Sequence, residues 1–171
     1  QRTPKMSTYL LYLGVGEFEF LGDKLDNTLI RIVTMPGKKN QAGFALELTK
    51  KFLDYFQKYS GIAYPLPKLD MIALPDFASG AMENWGAITF RELYLLFDLK
   101  MTSVAVKKRI AMIIAHELWH QWSGNLVTMC WWNDLWLNES FATFMAYKAV
   151  DHFFPEWKLW EDFIRDETDT A

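Results

Sequence analysis

The sequence predicts an α+β fold in which a β-rich N-terminal lobe is followed by a helical lobe. Three observations carry that prediction. Val15, Phe18 and Phe20 alternate with polar residues, as a half-buried strand does, and Leu29 to Met35 is a second β-prone run. Apolar residues then recur at helical spacing in 42–59 and again in 106–122. Glycine and proline breaks at Pro36-Gly37, Gly61, Pro65 to Pro67 and Gly80 separate these segments.

Taken in order, Ser7 to Phe20 reads as a first strand and Leu29 to Met35 as its partner, linked by the polar turn Gly22 to Asn27. Phe44, Leu48, Phe52, Leu53 and Phe56 form the apolar stripe of a helix from Ala42 to Tyr59, which Gly61 stops. Leu69 to Leu74 is a buried strand, and Trp85 to Phe90 is another, entered through Gly80 to Asn84. Thr102 and Ser103 offer caps for a helix reaching about Trp122, through Val106, Ile110, Ile113, Ile114 and Leu118. A third helix starts near Asn133-Asp134, carries Glu139 and ends before Pro155, and a fourth runs through Trp157, Trp160 and Phe163. The chain thus divides into a strand-rich entry (1–41), a helix with mixed strands (42–100) and a helical lobe (101–171).

With 171 residues, 51% of them apolar, the chain can bury one sizeable core and fits one domain or part of one. It opens at Gln1, and its last ten residues add no closing hydrophobic run, so it reads as a piece of something longer. A net charge of −3 leaves no basic footprint for nucleic acid. Lys38-Lys39, Lys50-Lys51 and Lys107 to Arg109 read as solvated faces. The single Cys130 excludes an intrachain disulfide framework. No run approaches the roughly 18–20 apolar residues of a membrane span, and Gln1 to Pro4 opens no signal peptide. No membrane contact is expected from this segment, and a cytoplasmic location is the expectation.

The chemistry concentrates at His116-Glu117-Leu118-Trp119-His120. On a helix, positions i and i+4 project from one face, so both imidazoles can reach one ion while Glu117 lies beside it. Glu139, nineteen residues past His120, supplies a third candidate donor from the next helix. An HExxH match alone also fits a helix with two packed histidines. Here the amphipathic setting and the acid on a second helix favour one Zn2+ per chain, held by His116, His120 and Glu139. Three protein donors leave a fourth position for water, the mark of a catalytic rather than a structural site. Glu117 can then accept that water's proton, which is metal-assisted hydrolysis of an acyl bond. Asp134, Thr143 and backbone carbonyls are the candidates to orient the imidazoles. His152 is not expected to be a ligand.

Read alone, Gly80-Ala81 is a turn and Glu83 a loop acid. Together, however, GAMENWG (80–86), HELWHQWSGNLVT (116–128) and WWNDLWLNESFA (131–142) resemble the zinc aminopeptidases of the aminopeptidase N family, the gluzincins. The resemblance extends from about Ser7 to Phe163, and Ser7 to Gly16 and Ala146 to Trp157 look most similar to the tricorn protease interacting factors within that family. It implies a partial thermolysin-like catalytic domain, peptide substrates with a free N-terminus, and further domains in the parent protein. It also implies a substrate-binding segment of Gly80, Ala81, Met82, Glu83 and Asn84, in which Glu83 anchors the α-amino group and the backbone lies along the substrate like an edge strand. The family uses a tyrosine well downstream of the third ligand to stabilise the oxyanion. Only Tyr147 follows Glu139, eight residues on, in the wrong place for that role. The expectation is therefore a weakly active or inactive segment of an active parent.

Three rival readings remain at this level: a thermolysin-type endopeptidase, an epoxide hydrolase resembling leukotriene A4 hydrolase, and a zinc-binding but catalytically incomplete module. An endopeptidase has no free amine for Glu83 to hold. The leukotriene enzyme typically has Gly-Gly where this chain has Gly80-Ala81. The aromatic run from Trp131 to Phe163 reads mainly as core, part of it exposed in the isolated chain and prone to self-association.

Overall fold

The computed structural model describes residues 3–98 and 103–168, with side chains up to 165. Five strands form one mixed sheet in the order β1-β2-β3-β5-β4: β1 (Glu19–Leu25), β2 (Thr28–Thr34), β3 (Lys68–Leu74), β4 (Ala81–Met82) and β5 (Ala87–Arg91). The two edge pairs, β1/β2 and β4/β5, are antiparallel, while β2/β3 and β3/β5 are parallel. A parallel neighbour needs a crossover, and helix α1 (Gly43–Ser60) supplies it between β2 and β3. The helical part follows as α2 (Val104–Trp119), α3 (Leu135–Phe153) and α4 (Leu159–Thr168).

Helix α1 buries Leu48, Phe52, Leu53 and Phe56 of the predicted stripe, with Ala45 in addition and Phe44 only partly buried. Its outer face pairs Glu47 with Lys51 and Asp54 with Lys58, and Gly61 ends it in the left-handed conformation (φ 69°) with its N–H on the Gln57 carbonyl. Strand β2 alternates strictly, burying Thr28, Ile30, Ile32 and Thr34. Strand β3 lies in the middle of the sheet with Leu69 to Ala73 all buried. There Asp70 takes Arg31 Nε and Nη2 at 2.6 and 2.8 Å, and Lys68 at 2.8 Å. One apolar core joins the sheet, α1, α2 and the inner face of α3.

The opening strand is displaced from its predicted place. Thr8–Leu10 is a short 3-10 turn, residues 11–18 have no regular structure, and β1 begins only at Glu19. The apolar residues that suggested a strand are the reason for the miss: among the described residues, Leu13 and Val15 are left 87% and 92% exposed. The predicted turn at 22–27 is mostly β1 itself. The hairpin turns on Asp26-Asn27 alone, with Asp26 at φ 49°, a conformation that Asp tolerates better than most residues. Helix α2 ends at Trp119 rather than near Trp122, and Trp157 lies in a 3-10 turn that Lys158 (φ 52°) separates from α4. Ser103 caps α2, its Oγ accepting from the Val106 N–H at 3.4 Å, whereas Thr102 lies outside the described residues. None of the helices among the described residues is long and apolar enough to cross a membrane.

Candidate active site

Helix α2 packs against α1, α3 and β4, and buries Ile110, Ala111, Ile114, Ala115 and Leu118. That fixes which way its last turn faces. His116 and His120 point toward the first turn and a half of α3, where Glu139 stands, and their rings meet edge to face at 4.7 Å. His116 Nε2 and His120 Nε2 are 3.0 Å apart, and Glu139 Oε2 lies 3.3 and 3.7 Å from them.

These distances suit a shared ion. Donor atoms about 2.0–2.1 Å from a tetrahedral metal lie roughly 3.3 Å from one another. The far side of the His120 ring decides its tautomer. His120 Nδ1 faces the Ser123 carbonyl at 3.1 Å and must donate to it, and His116 Nδ1 lies 3.4 Å from Thr143 Oγ1. With hydrogen on His120 Nδ1, and on His116 Nδ1 when the Thr143 hydroxyl accepts, two Nε2 lone pairs and a carboxylate oxygen converge on one point. That arrangement is repulsive unless a cation occupies it, so the residues fit the metal that the sequence motif implies.

The local charge points the same way. With protons on the imidazoles in place of a cation, hydrogen bonds from His116 and then His120 hold the Glu139 carboxyl well below the usual carboxylate range, against the effect of burial. Burial opposes charge on His120, yet the bond to Glu139 and the nearby carboxylates of Glu117, Glu83 and Glu139 outweigh it and raise its pKa. Burial pushes the Glu117 carboxyl up to about 8, opposed by His120 and assisted by Glu83 and Glu139. Glu117 Oε2 is buried with no hydrogen-bond partner among the described residues. A buried, half-unpartnered carboxyl beside a candidate metal position is the arrangement a general base needs.

Glu83 completes the acidic wall. One carboxylate oxygen each from Glu83 and Glu117 and a ring nitrogen of His120 lie within 4.8 Å of one another. The loop that carries Glu83 is held from three sides. Its carbonyl accepts from Asn125 Nδ2 at 2.8 Å and Gln121 Nε2 at 3.3 Å, its Oε1 accepts from Tyr9 Oη at 3.2 Å, and the Gly86 N–H donates to Gln121 Oε1 at 3.1 Å. Gly86 sits at φ 75°, where a Cβ would come within 2.6 Å of Leu66, so the turn after Trp85 requires glycine.

Of the predicted substrate segment, Gly80 and Ala81 line a cleft of about 370 Å³ with Met112, Ile113, His116, Glu117 and others. Ala81 and Met82 form β4, which lies at the end of the sheet and among the described residues pairs with β5. The Asn84 amide is engaged at both ends, donating to the Leu10 carbonyl at 3.1 Å and accepting from Thr89 Oγ1 at 2.9 Å. Its side chain therefore fixes the loop. Tyr147 also lines the cleft, its ring stacked on Trp160. Asp134 ends a 3-10 turn before α3, while His152 packs against Tyr55 and Phe153.

Four residues at the site escape sequence reasoning. Gln121 and Asn125 lie inside the HELWHQWSGNLVT run yet read as ordinary polar residues of a helix end and loop. Their adjacency to Glu83 is long-range, across 38 and 42 residues. Gly124, at φ 126°, lets the chain turn back against His120, since a Cβ there would meet His120 Nδ1 at 3.2 Å and Asn138 Nδ2 at 3.3 Å. Tyr9, in a stretch read as strand, carries no sequence signal of a contact with Glu83.

Two imidazoles and a carboxylate converging beside a buried glutamate define a metallopeptidase type of site. Residues 44–171 match the family model described as the peptidase family M1 domain, and the chain belongs to that family of metallopeptidases. It is 57% identical over 171 residues to "Probable aminopeptidase 2" of Sulfurisphaera tokodaii, covering 100% of this chain and 22% of that protein. It is 53% identical over 169 residues to "Leucyl aminopeptidase" of Saccharolobus solfataricus, covering 99% and 21%. With "Aminopeptidase M1-A" of Oryza sativa it shares 54% identity over 169 residues, covering 98% and 19%. The chain thus spans about a fifth of the length of the relatives it matches.

Proposed function

We propose that this chain carries the catalytic centre of a zinc aminopeptidase, which hydrolyses the first peptide bond of peptides with a free N-terminus. The observation that carries this reading is the convergence of His116 Nε2, His120 Nε2 and Glu139 Oε2, with Glu117 and Glu83 within reach of the same point. The aminopeptidase names of the relatives support it. His116, His120 and Glu139 would hold the zinc. When bound there, zinc supplies Lewis-acid polarisation of the scissile carbonyl and lowers the pKa of water.

The chain's own residues do the rest. Glu117 takes a proton from the attacking water and returns it to the leaving amine. Glu83 accepts the substrate's terminal ammonium, and the distance between that anchor and the metal restricts cleavage to the first bond. The free edge of β4 offers backbone groups to an extended substrate, with Gly80 and Ala81 bordering the cleft. The partners are free-N-terminus peptides and the further domains of an enzyme of the relatives' length.

The experiment is hydrolysis of leucyl arylamide and of its N-acetyl derivative by the longest form the gene encodes, with zinc content measured on the same sample. The proposal expects cleavage of the free-amine substrate only, with one zinc per chain. Equal cleavage of both substrates would instead indicate an endopeptidase-like site, and zinc without cleavage a binding module.

A further inference from the structure

We propose that Tyr9 is a positioning residue for the substrate's amino group, acting through the carboxylate of Glu83. The inference rests on the reading of Glu83 as the amine anchor. Tyr9 stands 74 residues before Glu83 and outside every motif quoted above, yet its Oη donates to Glu83 Oε1 at 3.2 Å.

The contact is one half of a clamp. The 3-10 turn Thr8–Leu10 lays Tyr9 over Glu83 and Leu10 over Asn84, whose Nδ2 donates to the Leu10 carbonyl at 3.1 Å. Leu10 is buried and anchors the turn in the interior. Tyr9 is only half-buried, its ring edge-on to Trp132 at 5.4 Å, beside a recess of about 170 Å³ that it lines with Trp132, Gly124 and Asn138.

The division of labour around Glu83 separates positioning from folding. The backbone of Glu83 is already secured, its carbonyl taking two donors from Gln121 and Asn125. The loop therefore keeps its path without the phenol. What the Tyr9 hydroxyl restrains is the carboxylate alone. Fixing Oε1 sets the plane of the carboxylate and leaves Oε2 to meet an incoming ammonium. A long, flexible side chain is thus ordered before the substrate arrives, and less ordering is left to oppose binding. Phenylalanine at position 9 would keep the edge contact with Trp132 and lose only this restraint.

The test compares Tyr9→Phe, Glu83→Gln and the double variant in the longest form the gene encodes, zinc-loaded, on leucyl arylamide. Binding of leucinamide by calorimetry in a non-hydrolysing Glu117→Gln background gives a readout independent of turnover. For Tyr9→Phe we expect KM and the leucinamide Kd to rise about five- to twentyfold, less than the full value of a hydrogen bond to a charged group because the phenol acts through Glu83, with kcat within about twofold. Zinc content and melting temperature should not move. In the Glu83→Gln background the same change should have no further effect. A leucinamide Kd unaffected by Glu83→Gln would remove the anchor reading itself. An effect of Glu83→Gln without one from Tyr9→Phe would overturn the role of Tyr9 alone, as would a Tyr9→Phe effect that persists undiminished in the Glu83→Gln background.

Discussion

Helix α2 carries His116 and Glu117 through the middle of the molecule, whereas α3 presents Glu139 from its second turn, where the outer face meets solvent. His120, at the end of α2, is 1% exposed, and its ring is fixed by the Ser123 carbonyl and by the close approach of Gly124. The Glu139 side chain is 49% exposed, and its ion-pair partners are the two histidines. Around it, Trp131, Trp132, Leu135, Trp136, Phe141 and Phe144 face outward. By contrast, the solvent face of α1 carries the ordered pairs Glu47–Lys51 and Asp54–Lys58. The histidine half of the proposed centre is therefore built by the fold, and the glutamate half depends on the site it serves.

The largest effect should come from chemistry rather than packing. Glu117→Gln keeps the shape of the buried carboxyl and removes the proton acceptor, so hydrolysis should fall about 10²- to 10⁴-fold while zinc content is retained. Steady-state kinetics beside metal analysis on one sample checks both halves of that statement.

The asymmetry between the helices gives the second prediction. His120→Ala and Glu139→Ala should each abolish tight zinc binding, yet they should differ in the metal-free protein. Emptying the buried His120 position should cost about 2–4 kcal/mol of stability, and truncating the half-exposed Glu139, whose pairing with the histidines is partly screened by solvent, about 0.5–1 kcal/mol. Chemical denaturation in chelator compares them directly, and equal losses would break the contrast drawn here. Gln121→Leu comes next, at about 1–3 kcal/mol, because it strands the buried Gly86 N–H and removes one donor from the Glu83 carbonyl. Smallest in stability is Trp136→Ser, within about 0.5 kcal/mol, since Trp136 is an exposed side chain. Sedimentation velocity should nonetheless show weaker self-association of this chain after that change, because it interrupts the exposed aromatic face.

How much of this was legible in sequence follows from the range of the interactions. The helix of Phe44 to Phe56 and the buried strand at Leu69 are local patterns, and the structure has them within a residue or two. The metal motif is local as well, an i, i+4 pair whose geometry any helix enforces. The first strand failed because Leu11, Leu13 and Val15 look like strand residues but are exposed in this chain, while Gly22 and Asp23 look like a turn and are paired with Arg31 and Ile30. What was least legible is the support of the site. Tyr9 on Glu83, Gln121 on Gly86 and Asn84 on Leu10 join segments 35 to 74 residues apart, and no periodicity records such contacts.

The most direct test of the proposed centre is the coordination of the metal itself. Zinc X-ray absorption on the loaded protein should show two imidazole nitrogens and a carboxylate oxygen at about 2.0–2.2 Å with no sulfur, at one ion per chain. His116→Ala should remove one imidazole from that shell. A sulfur scatterer from Cys130, a shell unchanged in the variant, or no retained zinc would contradict the account.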